Sequence, residues 1–475
     1  MLAAEPPARR PVGGEIEIGL TDLDGEHPPD AKLARFREAY ARYAARLGVA
    51  ALDKEASAYQ VEGQTPPVVR YDEALSHVTH ILRGMALAAL EAGLLLAPLS
   101  VYPTESDFRI TDDPYVRNIG SLLAGMSDAL LPFRQRLDAV VEAYQVTRCA
   151  PDPVALFRSQ GFHMHAQLAG RSEALGLLAF TLLLRSASAN AITAFLKGGP
   201  FMDGFCDAER LCLRGRIRGA GITGSWVERA LSPHLDPGGL DTISALVSHG
   251  LANTMARAML AAHQEGYLFA AAHNPSGRLR PDTPGAARHC TLESTAAPMN
   301  PHAGRLAAAL MDHQFSNLAV EAYFRRHGTD LEPLRADPDW LLLFGPLPQE
   351  TLAANEARSD CACTDAPVVT AAGEMSLSAY YARKRAFMKR ELSHLVDESE
   401  VDRVYDGFDA ALTGEGARTI AEFLGDGPRA GQGNWGRLLR QAYEEAGGVS
   451  GAKCPAAVAA VVRQVHQALV GRYAG

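Results

Sequence analysis

The sequence predicts an α+β fold: a sheet of paired strands with helices packed on one side. Three observations carry this reading. Four short runs, 15–20, 59–64, 161–168 and 289–295, alternate polar and apolar residues with a period of two, the repeat of a half-buried strand. Five longer segments, 31–47, 72–96, 173–196, 240–272 and 303–326, carry apolar residues at helical spacing. The short runs lie between the long ones, which is the α+β pattern.

In order along the chain, "EIEIGL" puts Glu15 and Glu17 on one strand face and Ile16, Ile18 and Leu20 on the other. The helix over 31–47 follows Pro28-Pro29-Asp30 and ends at Gly48, the expected start and stop signals. In "EASAYQVEGQTPP", Gln60 and Glu62 share a face, and Glu55 lies seven residues before Glu62. A helix over 72–96 comes next. "FHMHAQL" sets His163 and His165 on one side, with Phe162, Met164 and Ala166 on the other. Segment 173–196 is apolar enough to be a buried helix, and 240–272 is a further helix. In "HCTLEST", Thr291, Glu293 and Thr295 share a face, ahead of the helix over 303–326. Residues 330–350 are rich in proline and leucine without a period and read as a connection. From Ser376 to the end the chain reads as helical, broken near glycines 426–434 and 447–451.

A chain of 475 residues with 47% hydrophobic and 21% charged residues has the balance of a soluble globular protein. Its net charge of -9 argues against general nucleic-acid binding. The longest apolar runs are interrupted at Glu91 and Arg185, so no membrane span is expected. The start, "MLAAEPPARR", has no apolar core of signal-peptide length. Seven irregularly spaced cysteines fit a reducing cytoplasm better than a disulfide framework.

If the four strands pair in one sheet, one face is apolar and packs on helices. The other gathers Glu15, Glu17, Glu55, Glu62, Glu293, His163 and His165. Five neighbouring carboxylates cannot all stay ionised unless cations separate them. Carboxylate oxygens with one or two imidazoles suit magnesium or manganese.

The order of these motifs resembles the glutamine synthetase and glutamate–cysteine ligase superfamily. The series is Glu-x-Glu on an early strand, Glu-x4-Gln-x-Glu, "GFHMHAQL", and a glutamate ahead of "NPHAGRLAAALM". It covers roughly residues 14–325. Only fourteen residues precede Glu15, and "YQVEGQTPP" ends like the corresponding stretch of the glutamate–cysteine ligase branch, so the resemblance is to that branch. It implies a curved, mostly antiparallel sheet with a metal-lined concave face and helices behind it. It also implies a catalytic domain over 1–330 and a mainly helical region over 331–475.

The activity the resemblance implies is that of an ATP-dependent carboxylate–amine ligase. It would form an amide, γ-glutamyl by expectation, through an acyl phosphate, with Mg2+ or Mn2+ as cofactor. Glu17, Glu55 and Glu62 would hold one metal. Glu15, His163 and Glu293 would hold the metal that bridges the nucleotide phosphates. His165 would contact phosphate, with Gln60, Thr291 and Thr295 assigned to the same nucleotide side. The family places arginines where this chain has Thr291 and Thr295. Arg214, Arg216 and Arg218 of "RGRIR", with Arg288, are the candidates to replace them beside Glu62 in catalysis; Arg278 and Arg280 also precede the last strand. Two other readings stay open: a metal-dependent amidase on the same face, and a non-catalytic relative that binds a ligand or a partner. The expected partners are small amino acids and amines, with room for a homo-oligomer. No nucleic acid and no membrane are expected.

Overall fold

The computed structural model describes residues 9–55, 57–103, 109–112, 160–167, 186–197, 278–280, 291–294, 297–328, 330–345, 347, 355, 358–359, 362–449 and 454–475. The expected helix over 240–272, the first part of 173–196, and Thr295, Arg214, Arg216, Arg218 and Arg288 lie outside these residues.

The N-terminal elements are β1 (Val12–Thr21), α1 (Asp30–Leu47), β2 (Asp53–Lys54), β3 (Gln60–Gln64), α2 (Tyr71–Ala92) and β4 (Leu95–Ala97). Then come β5 (Phe162–Gln167), α3 (Ser186–Leu196), β6 (Arg278–Arg280), β7 (Thr291–Ser294) and α4 (Ala303–His327). Strands β1 to β7 form a sheet in the order β2-β3-β1-β5-β7-β6, with β4 also paired to β1. Every pairing in it is antiparallel.

Alternation gives the sheet its two faces. In β5, Phe162, Met164 and Ala166 are buried, while His163, His165 and Gln167 are only partly so. Ile16, Ile18 and Leu20 of β1 and Val61 of β3 join the buried set. A Cβ placed on Gly14 would meet Phe162 and Leu310 of α4, so the helix backs this face closely. Helix α4 is itself buried along most of its length, polar residues included.

Two expectations need correction. The helix expected over 72–96 stops at Ala92. Gly93 caps it in the left-handed conformation (φ 67°), which a residue without a Cβ adopts without strain. The apolar run after it forms β4, because an apolar stretch this short reads equally as strand or buried helix. The connection expected over 330–350 contains two short helices, α5 (Glu332–Ala336) and α6 (Pro338–Phe344). Each has a proline in its first turn, where the missing N–H costs no hydrogen bond. The Asp337 carboxylate accepts from the Asp339 and Trp340 amides and caps α6.

Beyond a hairpin, β8 (Val368–Thr370) and β9 (Gly373–Met375), the chain is helical: α7 (Leu377–Glu391), α8 (Glu398–Leu412), α9 (Ile420–Leu424), α10 (Trp435–Glu445) and α11 (Pro455–Tyr473). Residues of these helices belong to the same buried cluster as β1, α2 and α4. Polar contacts cross between the two stretches. Lys384 Nζ of α7 is 2.7 Å from Asp312 Oδ2 of α4, both side chains being fully buried, and the Tyr405 hydroxyl of α8 donates to Asp312 Oδ1 at 2.7 Å. The Leu96 amide of β4 donates to His466 Nδ1 of α11 at 3.1 Å. Among the described residues, no helix is long and apolar enough to cross a membrane.

Candidate metal centre

The polar face of the sheet is assembled by register. Glu15 of β1 stands opposite Gln64 of β3 and His163 of β5. Glu17 stands opposite Glu62, and Glu62 opposite Asp53 of β2. On the other flank, His165 pairs with Gly13 of β1 and with Glu293 of β7. Cross-strand partners share a face, so acids and imidazoles from five strands meet there. Glu55, in the segment before β3, completes the set.

Two groups of potential ligands result. Glu17, Glu55 and Glu62 offer carboxylate oxygens within 4.8 Å of one another. Glu15, His165 and Glu293 offer two carboxylates and an imidazole nitrogen within the same limit. His163 lies between them. Its Nδ1 is 3.2 Å from Glu15 Oε2 and 3.5 Å from Glu293 Oε1, and its Nε2 is 3.4 Å from Glu17 Oε1. The Gly161 amide donates to Glu17 Oε2. A Cβ at Gly161 would come within 2.9 Å of His163 Nε2 and 3.1 Å of Glu17 Oε2, so a side chain there would have to displace the ring or the carboxylate.

The electrostatics follow from burial. Glu293 is fully buried, and Glu17 and Glu62 are nearly so. Burial, and then the charges of Glu15 and Glu17, push the Glu62 carboxyl up to about 7. Burial also raises Glu15, but its contacts with His163 and His165 outweigh that and hold it well below the usual carboxylate range. Burial alone would lower His163; the Glu17, Glu15 and Glu293 carboxylates reverse this and raise it.

The residues fit divalent cations. One group is all carboxylate, and the raised pKa of Glu62, caused by burial and then by two neighbouring charges, is one that a bound cation would lower. In the other, His165 Nε2 is buried 3.0 Å from Glu15 Oε1. Imidazole and carboxylate atoms this close can share one cation. Hard oxygen donors with one imidazole suit magnesium or manganese.

The remaining candidates are more scattered. Gln60 is buried opposite Gly19, at the far end of β3 from Gln64. Thr291 Oγ1 is 3.2 Å from His165 Nδ1.

Sequence reasoning missed two polar neighbours. The Gln64 amide donates to Glu62 Oε1 at 2.8 Å and to Asp53 Oδ2 at 3.3 Å. Continuing the alternation two residues past Glu62 finds Gln64, but the two-residue β2 gives no period that would find Asp53. Strand β6 sets Arg278 opposite Glu293 and Arg280 opposite Thr291. Their spacing of two was a visible signal, but their pairing partner was not.

No protein-family model matches the chain, and no curated protein matches it. Among solved structures, it is similar to a bifunctional glutathione synthetase from Pasteurella multocida, with a TM-score of 0.46 and 13% identity over 98% of this chain and 53% of that one. It is also similar to the complex of the prokaryotic ubiquitin-like protein Pup and its ligase PafA, with a TM-score of 0.37 and 12% identity over 85% of this chain and 62% of that one. The chain therefore spans about half the length of the first structure and less than two thirds of the second.

Proposed function

We propose that this protein is a divalent-metal-dependent ligase that joins a carboxylate to an amine at the expense of ATP, with a γ-glutamyl amide as the expected product. The observation that carries the reading is the pairing of two ligand groups, Glu17/Glu55/Glu62 and Glu15/His165/Glu293, on one sheet face. Two such groups on a sheet backed by buried helices form a rigid platform for a polyanion. Bound magnesium or manganese would neutralise phosphate charge as it develops.

The protein's own part is placement. Glu17, Glu55 and Glu62 converge from two strands and a connecting segment, and Gln64 orients Glu62. His163 lies between the two ligand groups, within 3.5 Å of Glu15, Glu17 and Glu293. In the reaction, the γ-phosphoryl group passes to an oxygen of the acid substrate and ADP leaves. The amine nitrogen then attacks the acyl carbon, phosphate departs, and the amine loses a proton.

Thr291 cannot offer phosphate the charged, forked contact of a guanidinium. In this reading Arg278 and Arg280, at register positions opposite Glu293 and Thr291, come ahead of Arg214, Arg216, Arg218 and Arg288 as the source of that charge. The test is incubation of pure protein with ATP, magnesium and a pool of amino acids and amines, followed by mass spectrometry. A new amide formed with stoichiometric ADP supports the reading. Amide hydrolysis that needs metal but not ATP replaces it with an amidase.

A further inference from the structure

We infer that residues 109–111 form a strap that sets the position of Glu55, with Thr111 as the positioning residue. This rests on the two-metal reading above and names what holds the one acid of the face that the sheet itself does not hold. Three observations carry it.

The first is where the strand ladder stops. Of the six residues in the two ligand groups, Glu55 alone lies outside a strand. The pairing of β2 with β3 ends with Lys54 opposite Val61, one residue short of Glu55. The chain then turns into β3: the Gln60 amide donates to the Ser57 carbonyl at 3.3 Å, and the Tyr59 amide to Ser57 Oγ at 3.2 Å. Register therefore fixes Glu17 and Glu62 but not Glu55, whose carboxylate still comes within 4.8 Å of theirs.

The second is what takes the place of the ladder. The Thr111 hydroxyl donates to the Glu55 carbonyl. Ser57 and Ile110 form an antiparallel bridge, and the Ala58 amide donates to the Arg109 carbonyl at 2.9 Å. Three successive residues of one segment thus hold the stretch that carries Glu55. Thr111 makes its contact at Glu55 itself, on the peptide group from which that residue's side chain is aimed.

The third is the anchor. Arg109 is forked on Asp30, the first residue of α1: Nη1 donates to Oδ2 at 3.2 Å and Nη2 donates to Oδ1. Its guanidinium carbon also lies 5.5 Å from the centre of the Tyr59 ring, which stacks on His27 at 4.1 Å. A forked pair fixes direction as well as distance. Because both partners are exposed by half or more, the pair adds little to stability. The strap is fastened to a helix at one end and to the Glu55 segment along its length, so a change in it moves Glu55 without unfolding the sheet.

The experiment uses the full-length protein and manganese, without nucleotide. Electron paramagnetic resonance of free Mn2+ gives the stoichiometry and the affinity of each equivalent, and melting curves give stability. Glu55→Gln first identifies the equivalent that depends on Glu55. Thr111→Val should weaken that same equivalent by about tenfold and spare the other, and Thr111→Ser should restore it. Arg109→Met keeps an apolar stem over Tyr59 but loses the fork. It should weaken the same equivalent while the melting temperature hardly moves. Thr111→Val that binds both equivalents as tightly as wild type, or weakens both alike, overturns the inference, as does failure of Thr111→Ser to restore binding. If Thr111→Val does not fold, Arg109→Met decides, and unchanged affinity there overturns the inference. Wild-type protein that binds fewer than two Mn2+ overturns the two-metal reading as well; the other outcomes leave that reading standing.

Discussion

His165 Nε2 lies 3.0 Å from Glu15 Oε1, although the two are not register partners: Glu15 stands opposite His163, and His165 opposite Gly13. The contact is a diagonal across two antiparallel strands. It exists because one of the four positions has no side chain. With the His163 Nδ1 contact to Glu15 Oε2, the diagonal joins both imidazoles to one carboxylate.

The raised pKa of Glu62 makes the first prediction. Its folded pKa of about 7 lies above the ordinary value of 4.5. Its contribution to metal-free stability is therefore fully present below about pH 4.5 and is lost as pH rises through about 7. In EDTA, Glu62→Gln should gain on wild type between pH 5 and pH 7.5, by about 3 kcal/mol at most. With manganese added the order should reverse, because the variant has lost a ligand charge, and turnover should be abolished. Denaturant unfolding at several pH values checks this, and a pH-independent difference between the two proteins would refute it.

Gly161 makes the second. An alanine there brings a methyl group against His163 and Glu17. Manganese affinity should fall by about tenfold or more, as expected when groups around a ligand are displaced. Thermal stability should change far less. Calorimetric titration beside a melting curve separates the two effects, and unchanged affinity would show that the ring and carboxylate yield freely.

The buried pair Lys384–Asp312 makes the third. Lys384→Met leaves the Asp312 charge buried, with the Tyr405 hydroxyl still donating to it. That should cost about 3–5 kcal/mol, whereas Lys384→Met with Asp312→Leu should cost much less than the sum of the single changes. A double-mutant cycle in urea measures the coupling. Additive losses would mean that the pair does not tie α7 to α4.

His466 makes the fourth. Burial lowers its pKa to about 4, and its Nδ1 accepts the Leu96 amide, which requires the neutral ring. A histidine depressed in the fold contributes stability that is complete above its ordinary value near 6.5. The contribution is lost as pH falls toward 4, and it amounts to about 3 kcal/mol over that window. His466→Asn, which keeps an acceptor but cannot be protonated, should flatten this part of the stability profile. An equal slope in both proteins would count against the assignment.

Much of this was legible along the chain because it is local. A period of two in "EIEIGL" and "FHMHAQ" separates Glu15, Glu17, His163 and His165 from Ile16, Ile18, Phe162 and Met164 whatever the strands later pair with. The helix starts and stops around Asp30 and Gly48 are local as well, being set by backbone conformation within one turn. The strand at 95–97 was hidden by its brevity, and the helices at 332–336 and 338–344 by prolines that read equally as breaks or first-turn residues. What no local pattern contains is register. Which imidazole meets which carboxylate, that Gln64 and Asp53 reach Glu62, and that Arg278 and Arg280 stand beside β7 all depend on how strands far apart in sequence slide past one another. A shift of two residues would keep every polar side chain on the same face and change every pair. The helices on the apolar face hold that alignment, so the chemistry of the face was written in the sequence and its geometry was decided by the packing behind it.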